Sequence, residues 1–189
     1  AKLAADSDDG HVLYGGGKDA ENLITDADKL TCALISGAKR KAQLANPIIR
    51  PVKVKGKEYF VMVVHPLASR DLKTDSAWLN AQYYAAERGL DNPIFSGMLG
   101  VYDGVVLHEH PAVPWTTTGA SSARVAHNLF LGAQAGVWAV AKEPYWREKL
   151  FDYDNSVGFA TGLIHGQAKS AYNSSDYATI QVVTGAKAD

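Results

Sequence analysis

The sequence predicts an α+β fold, with helices and strands in separate stretches of one compact chain. Three observations carry this: an amphipathic helical run in the first quarter, a second helical pair between Leu67 and Arg88, and period-two or β-branched runs through most of the remainder. With 189 residues, 47% hydrophobic and 21% charged, the chain is long enough to bury one sizeable core and short for two.

The elements follow in order. Gly15-Gly16-Gly17 marks a turn. Thr25-x-x-Asp28 reads as the cap of a helix that carries Leu30, Ala33, Leu34 and Ala38 and ends near Ala45, where Asn46-Pro47 stops it. Val52 and Val54 then alternate with Lys53 and Lys55, Gly56 turns the chain, and Tyr59 to Val64 is a buried-strand run, so residues 52–64 are expected to form a hairpin. After His65-Pro66, Leu67 to Leu72 and Ser76 to Arg88 read as helices. The second is capped by Asp75 or Ser76, closed by Gly89, and turns Trp78, Ala81 and Ala85 inward. A loop opens at Asp91-Asn92-Pro93, Ile94 to Leu99 is apolar and glycine-punctuated, and Val101 to His110 is strand-like with a turn at Asp103-Gly104. Pro111 and Pro114 close this unit, and the polar stretch Thr116 to Ser122 is the one linker-like segment. Beyond it the run from Asn128 to Ala141, the charged stretch Trp146 to Leu150 and the alternating stretch Asp154 to Lys169 read mostly as strands, and Tyr177 to Thr184 as a closing strand.

Charge excludes several function classes. Lys and Arg number 19 against 20 Asp and Glu, a formal charge of -1, with a pI near 6.7. Such a chain carries no global positive field to attract nucleic acid or an anionic membrane. The charges are unevenly placed: acidic residues crowd Asp6 to Asp28 and basic ones Lys39 to Lys57. The two runs could face each other, but two solvated faces are the simpler expectation. The aromatics beside the basic run, Tyr59 and Phe60, belong to an apolar strand, so a nucleic-acid surface is not expected there. A single cysteine, Cys32, rules out an intrachain disulfide and a cysteine-rich zinc site. No apolar span of membrane length is present, and the polar, acidic start at Ala1 lacks the basic and apolar segments of a signal peptide. The missing initiator methionine is consistent with processing or truncation of a longer product.

Chemical motifs are sparse. His108-Glu109-His110 is the most metal-like cluster, because imidazoles two apart on a strand share a face. A third ligand would have to come from His11, His65, His127 or His165, and nothing in the sequence demands it. A metal-dependent enzyme or binding protein using His65, His108, Glu109 and His110 is therefore the rival reading. No Gly-x-Ser-x-Gly elbow occurs, and Cys32 lies in a helix, half buried. Gly15-Gly16-Gly17-Lys18 lacks the spacing of a phosphate loop. The spacing Gly158-x-x-x-Gly162-x-x-x-Gly166 is interrupted by polar residues, which favours close backbone packing in a sheet over a membrane helix contact.

The order of segments carries more than any motif. His11 to Gly16 (HVLYGG), Pro47 to Val52 (PIIRPV), Lys57 to Pro66 (KEYFVMVVHP) with Arg70 to Leu72, Asn92 to Gly97 (NPIFSG), Leu99 to Pro111 (LGVYDGVVLHEHP), Leu131 to Ala135 (LGAQA) and Asp152 to Asn155 (DYDN) run through nearly the whole chain. Together they resemble the major capsid proteins of tailed bacteriophages, of the kind found in some podoviruses and many prophages. The block from Leu99 to Pro111 is the most specific.

The resemblance is to the carboxyl-terminal half of such proteins. It implies a Hong Kong 97-type capsid fold, with residues 1–115 mainly axial-domain-like, residues 116–189 mainly peripheral-domain-like, and one compact unit overall. The amino-terminal arm and extended loop of the family would lie upstream of Ala1. It also implies a structural protein of the virion that is not an enzyme. Such a protein is made in the bacterial host cytoplasm, needs no cofactor or metal, and has other copies of itself as partners. Packaged DNA would be met only non-specifically, and no membrane is involved. Trp115, Tyr145, Trp146 and Tyr153 lie beside loops or polar runs and are the interface candidates under that reading, since aromatics so placed often anchor contacts between subunits.

Overall fold

A mixed sheet dominates the computed structural model, which describes residues 10–85, 99–173 and 175–187. Its main path runs β1 (Val12–Tyr14), β12 (Thr179–Gly185), β7 (Val125–Leu131), β3 (Lys57–Val64), β5 (Val105–Glu109) and β4 (Gly100–Tyr102). Two short strands extend it: β2 (Val52–Val54) pairs with β3, and β6 (Trp115–Thr116) pairs with β7. β1 and β12 are parallel, as are β3 and β5, and the remaining pairs are antiparallel.

The predicted hairpin is present as β2 and β3, with Lys55 and Gly56 in the turn between them. Its second strand alternates as expected: Phe60, Met62 and Val64 are buried while Val61 and Val63 are half-buried. The strand-like stretch from Val101 to His110 is a second hairpin, β4 and β5, turned at Asp103-Gly104, both of which have positive φ.

α1 spans Cys32–Leu44, so its end matches the expectation and its start does not. Thr25 and Asp28 satisfy one another: the amide and hydroxyl of Thr25 both donate to Asp28 Oδ2, at 2.9 and 2.8 Å. That closes an isolated turn, and Thr31 caps the helix instead, its hydroxyl accepting from the Leu34 amide. Cys32 at the first helical position is fully buried rather than half buried, and its amide donates to Asp75 Oδ2 at 2.8 Å.

α2 (Pro66–Leu72) starts at Pro66, where a missing amide costs nothing, and His65 caps it by accepting from the Leu67 amide at its Nδ1. α3 (Ser76–Ala85) is capped by Asp75, which accepts from the Ala77 amide, and Trp78 is buried as expected. Residues 86–98, which hold the expected loop at Asp91-Asn92-Pro93 and the closing Gly89, lie outside the described residues.

The core lies between α1 and the sheet. Leu30, Ile35, Ala38 and Ala42 pack on Phe60, Met62, Phe130, Ile180 and Val182, with Phe60 and Phe130 ring centroids 5.1 Å apart. A smaller cluster of Ile24, Val125 and Val183, with Val12 and Tyr14 against it, covers the opposite face. Covered on both sides, β7 and β12 are buried almost throughout, and the fully buried amide side chain of Asn128 is satisfied. Asn128 accepts from the His65 amide and donates to Thr184 Oγ1, each at 3.0 Å.

Among the described residues no ion pair joins the basic run to the acidic one. Lys39 pairs with Asp103 at 2.7 Å, Lys53 with Glu58 at 3.2 Å, and Lys29 stands 3.8 Å from the buried Asp71.

Beyond the sheet the chain forms a separate two-stranded ribbon, a long arm. After β7 the chain enters β8 (Gly136–Phe151), turns at residues 152–155, and returns as β9 (Ser156–Lys169). A small hairpin of β10 (Ala171–Tyr172) and β11 (Ser175–Asp176) then leads into β12. Strands of 16 and 14 residues at about 3.3 Å per residue make a ribbon roughly 45–50 Å long. Strands were expected here; a ribbon standing clear of the core was not.

Candidate interaction surface

The metal-like cluster does not converge. His108 and His110 share a face, with ring centroids 6.4 Å apart. Glu109 points to the other, where it accepts from Ser69 Oγ and lies 3.9 Å from Lys73. His65 is engaged as a helix cap, and burial holds its pKa below the usual value even though Glu109 pulls upward. Among the described residues no group of three or more His, Cys, Asp and Glu is placed to hold a metal ion. Cys32 is likewise muted: burial, reinforced by the charge of Asp75, pushes its thiol up to about 11.

One buried polar network lies at the β6 and β7 edge. Glu21 accepts from Thr116 at 2.7 Å and from Thr118, and stands 3.3 Å from His127 Nε2. His127 Nδ1 meets the side-chain amide of Gln181. Burial raises the Glu21 carboxyl, but the threonine hydroxyls and His127 outweigh it and hold its pKa below the ordinary value. Burial lowers that of His127 despite Glu21. This network ties the segment around residue 21 to the sheet, which is a structural task.

The arm offers the largest surface of a different kind. More than half of the exposed large apolar side chains among the described residues lie between Val137 and Ile164. Pairing sorts them by face. Trp146, Leu150, Val157 and Phe159 share one face of the distal half, and the rings of Trp146 and Phe159 stack at 5.3 Å and 7°. On the opposite face two aromatics lie over glycines of the facing strand. The ring of Tyr145 occupies the place where a Cβ on Gly162 would fall, 2.8 Å away, and that of Phe151 does the same over Gly158 at 2.6 Å. These glycines are spaced for close packing in a sheet, as expected, and each is covered by an aromatic from the partner strand.

Of the interface candidates, Tyr153 is fully exposed at the tip of the turn, and Trp146 is 63% exposed on the apolar face. Trp115, on the edge strand β6, is 48% exposed with the Arg124 guanidinium 5.6 Å from its ring centroid. Tyr145 is half-buried over Gly162, with Lys142 Nζ 3.9 Å above its ring, so its visible role is within the arm.

At its base the arm is held by an ion pair between Lys169 and the buried Asp176, by the Ser170 hydroxyl on the Gln134 carbonyl, and by Trp138 against His165 at 5.5 Å. Sequence reasoning had no means to find Val137, Val140, Leu163 or Ile164 as exposed. Their alternation says strand, and only the absence of a covering layer says surface.

The chain is similar to known phage capsid proteins. A family model described as phage capsid protein matches residues 2–188. The major capsid protein of Pseudomonas phage KPP25 is 31% identical over 185 residues, covering 88% of this chain and 48% of that protein. Among solved structures, the capsid of Ralstonia phage GP4 is similar with a TM-score of 0.72 at 33% identity, over 96% of this chain and 54% of that one. The cyanophage Pam1 capsid asymmetric unit gives 0.81 at 27% identity, over 97% and 56%. The chain therefore spans about half the length of the relatives it matches.

Proposed function

The chain belongs to the phage capsid protein family, and from that premise we propose that it is part of a head-shell subunit, acting by tiling with copies of itself around a packaged genome. The observation that carries this reading is the arm. A two-stranded ribbon is marginal in water on its own, and this one exposes Trp146, Leu150, Val157 and Phe159 together on one face. A lone subunit gains nothing from such a surface, and a tiled subunit covers it with its neighbour.

The finer parts of the proposal follow the same logic. The fold is of the Hong Kong 97 type, with residues 1–115 mainly axial and 116–189 mainly peripheral within one compact unit, since β3 and β7 share a ladder. The protein works without catalysis, and its site is the virion after synthesis in the host cytoplasm. DNA is enclosed and not read, in keeping with a formal charge of -1. Among the described residues no helix is long and apolar enough to cross a membrane. Trp115, Trp146 and Tyr153 are the contacts proposed to face neighbours.

Sedimentation and electron microscopy of the 189-residue chain at high concentration test the reading. Concentration-dependent small oligomers are expected, with closed shells only when the remaining half of the longer relatives' length is supplied. A chain that stays monomeric at every concentration would overturn it.

A further inference from the structure

We propose that the acidic turn at the tip of the arm, Asp152-Tyr153-Asp154, seats in the groove between α1 and β1 of a second copy of this chain, with Tyr153 inserted and the two carboxylates on Arg40 and Lys41. The inference rests on the tiling reading and names the two surfaces that meet.

The groove has a volume of about 450 Å³ and is lined by His11, Leu13, Arg40, Lys41, Leu44 and Ile180 among others. That is within the range of sites that take a side chain or small ligand. Among the described residues no carboxylate pairs with Arg40 or Lys41, unlike the adjacent Lys39, which holds Asp103. Lys41 Nζ donates to the Val12 carbonyl at 2.6 Å, and burial pulls its pKa below the ordinary value. A carboxylate arriving beside it would relieve that penalty. His11, nine-tenths buried in the groove wall, has an Nδ1 without a hydrogen-bond partner, and Leu44 is exposed at the rim. The groove is therefore apolar in body and basic at one side.

The turn is its complement. Tyr153 is fully exposed between two carboxylates. Asp152, Tyr153 and Asp154 have φ of 51°, 50° and 68°, a left-handed run that Asp tolerates and Tyr does not favour. The conformation holds the ring away from its own strands.

Geometry decides between self and neighbour. Ile180, in the groove, pairs with Phe130 near the foot of the arm, while the turn lies the length of the ribbon away, roughly 45 Å for β9's 14 residues. A chain's own turn cannot fold back into its own groove while the β8–β9 ladder stays paired. Turn and groove are different patches, so the contact is heterologous and repeats from copy to copy, closing into rings where the rotation allows.

Charge reversal on each side provides the test. Arg40→Glu with Lys41→Glu reverses the groove, and Asp152→Lys with Asp154→Lys reverses the turn. Since Lys41 also holds Val12, Arg40→Glu alone is the second groove variant, and circular dichroism establishes that each variant is folded. By sedimentation, each reversed chain is expected to self-associate about tenfold or more weakly than the unaltered chain, and an equimolar mixture of the two to recover association. Tyr153→Ala, which changes no charge, is expected to weaken association as well. The inference is overturned if the mixture does not recover while the unaltered chain still associates. It is also overturned if groove reversal matters and turn reversal does not, which would mark a different occupant such as a foreign acidic peptide or the chain's own acidic start. Either result leaves the tiling reading standing. An unaltered chain that never associates removes that reading and the inference together.

Discussion

β7 with β12 and β8 with β9 are both antiparallel pairs, one following the other along the chain, yet the first is buried nearly throughout and the second exposed nearly throughout. The difference is not strand propensity, which both have. The inner length lies between α1 and the segment around Ile24, so its apolar side chains find partners on both faces. The outer length passes beyond both layers, and among the described residues its own aromatics lie over Gly158 and Gly162. Burial is thus set by what lies over a strand, and under the tiling proposal the outer length is where another copy would supply that layer.

The largest test of this contrast removes one aromatic from each length. Phe130→Ala deletes a fully buried ring packed against Phe60 and is expected to cost about 3–5 kcal/mol in urea denaturation. Phe159→Ala deletes a ring that is 70% exposed, and in the dissociated chain it should cost less than about 1 kcal/mol. Equal costs would mean that the arm is packed against its own core, and the comparison would fail.

How much of this was legible in the sequence depends on the kind of signal. The hairpin of residues 52–64 was, because alternation and Gly56 act locally, and so was the end of α1 at Asn46-Pro47. The start of α1 was not, since Thr25 and Asp28 match a capping pattern while spending their hydrogen bonds on one another. In β8, Val137 and Ala139 alternate with Trp138 and Val140, so apolar residues occupy both faces and periodicity cannot choose a buried one. The role of Tyr145 needed the register that brings Gly162 opposite it, information that no single strand contains. The capsid resemblance was legible from the order of segments, whereas the groove is not: His11 and Lys41 meet only through the β1–β12 pairing and the docking of α1.

A glycine substitution sharpens the contrast at intermediate size. Gly162→Val places a side chain where the Tyr145 ring lies, a conflict on the order of 1–3 kcal/mol. It should be confined to the arm, so limited proteolysis between residues 136 and 169 is expected to speed up several-fold while the melting temperature of the core stays within about 2 °C. A global drop in melting temperature matching the local loss would show that arm and core unfold as one unit.

Acid should loosen the inner length before the outer. His127 has a folded pKa below its unfolded value, so the stability it supports is complete above the unfolded pKa and declines as pH falls through it. Glu21 also has a lowered folded pKa, so its contribution is present above the ordinary carboxylate range and is lost as pH drops through the folded value. Both act in the same direction, and melting temperature is expected to fall from about pH 6.5 downward. Glu21→Gln should flatten the lower part of that slope, and an unchanged slope would remove the network from the account. The network lies outside the arm, so Glu21→Gln is expected to leave proteolysis of residues 136–169 unchanged.

The smallest expected effect lies at the tip. Tyr153 has a φ of 50° at a position where glycine is free of the usual steric cost, and its fully exposed ring makes no contact that would repay the conformation. Tyr153→Gly should therefore stabilise the dissociated arm slightly, by up to about 1 kcal/mol, while leaving urea denaturation of the core unchanged. Hydrogen exchange reads this directly: amides of Phe151 and Ser156, which flank the turn, are expected to exchange more slowly in the glycine variant when the protein is dilute. At concentrations where the unaltered chain associates, the order should reverse, because only the tyrosine chain gains protection from a neighbour. Faster exchange in the glycine variant under dilute conditions would mean that the ring braces its own turn. The tip would then belong with the inner length of the ribbon, held by its own chain and not waiting on another.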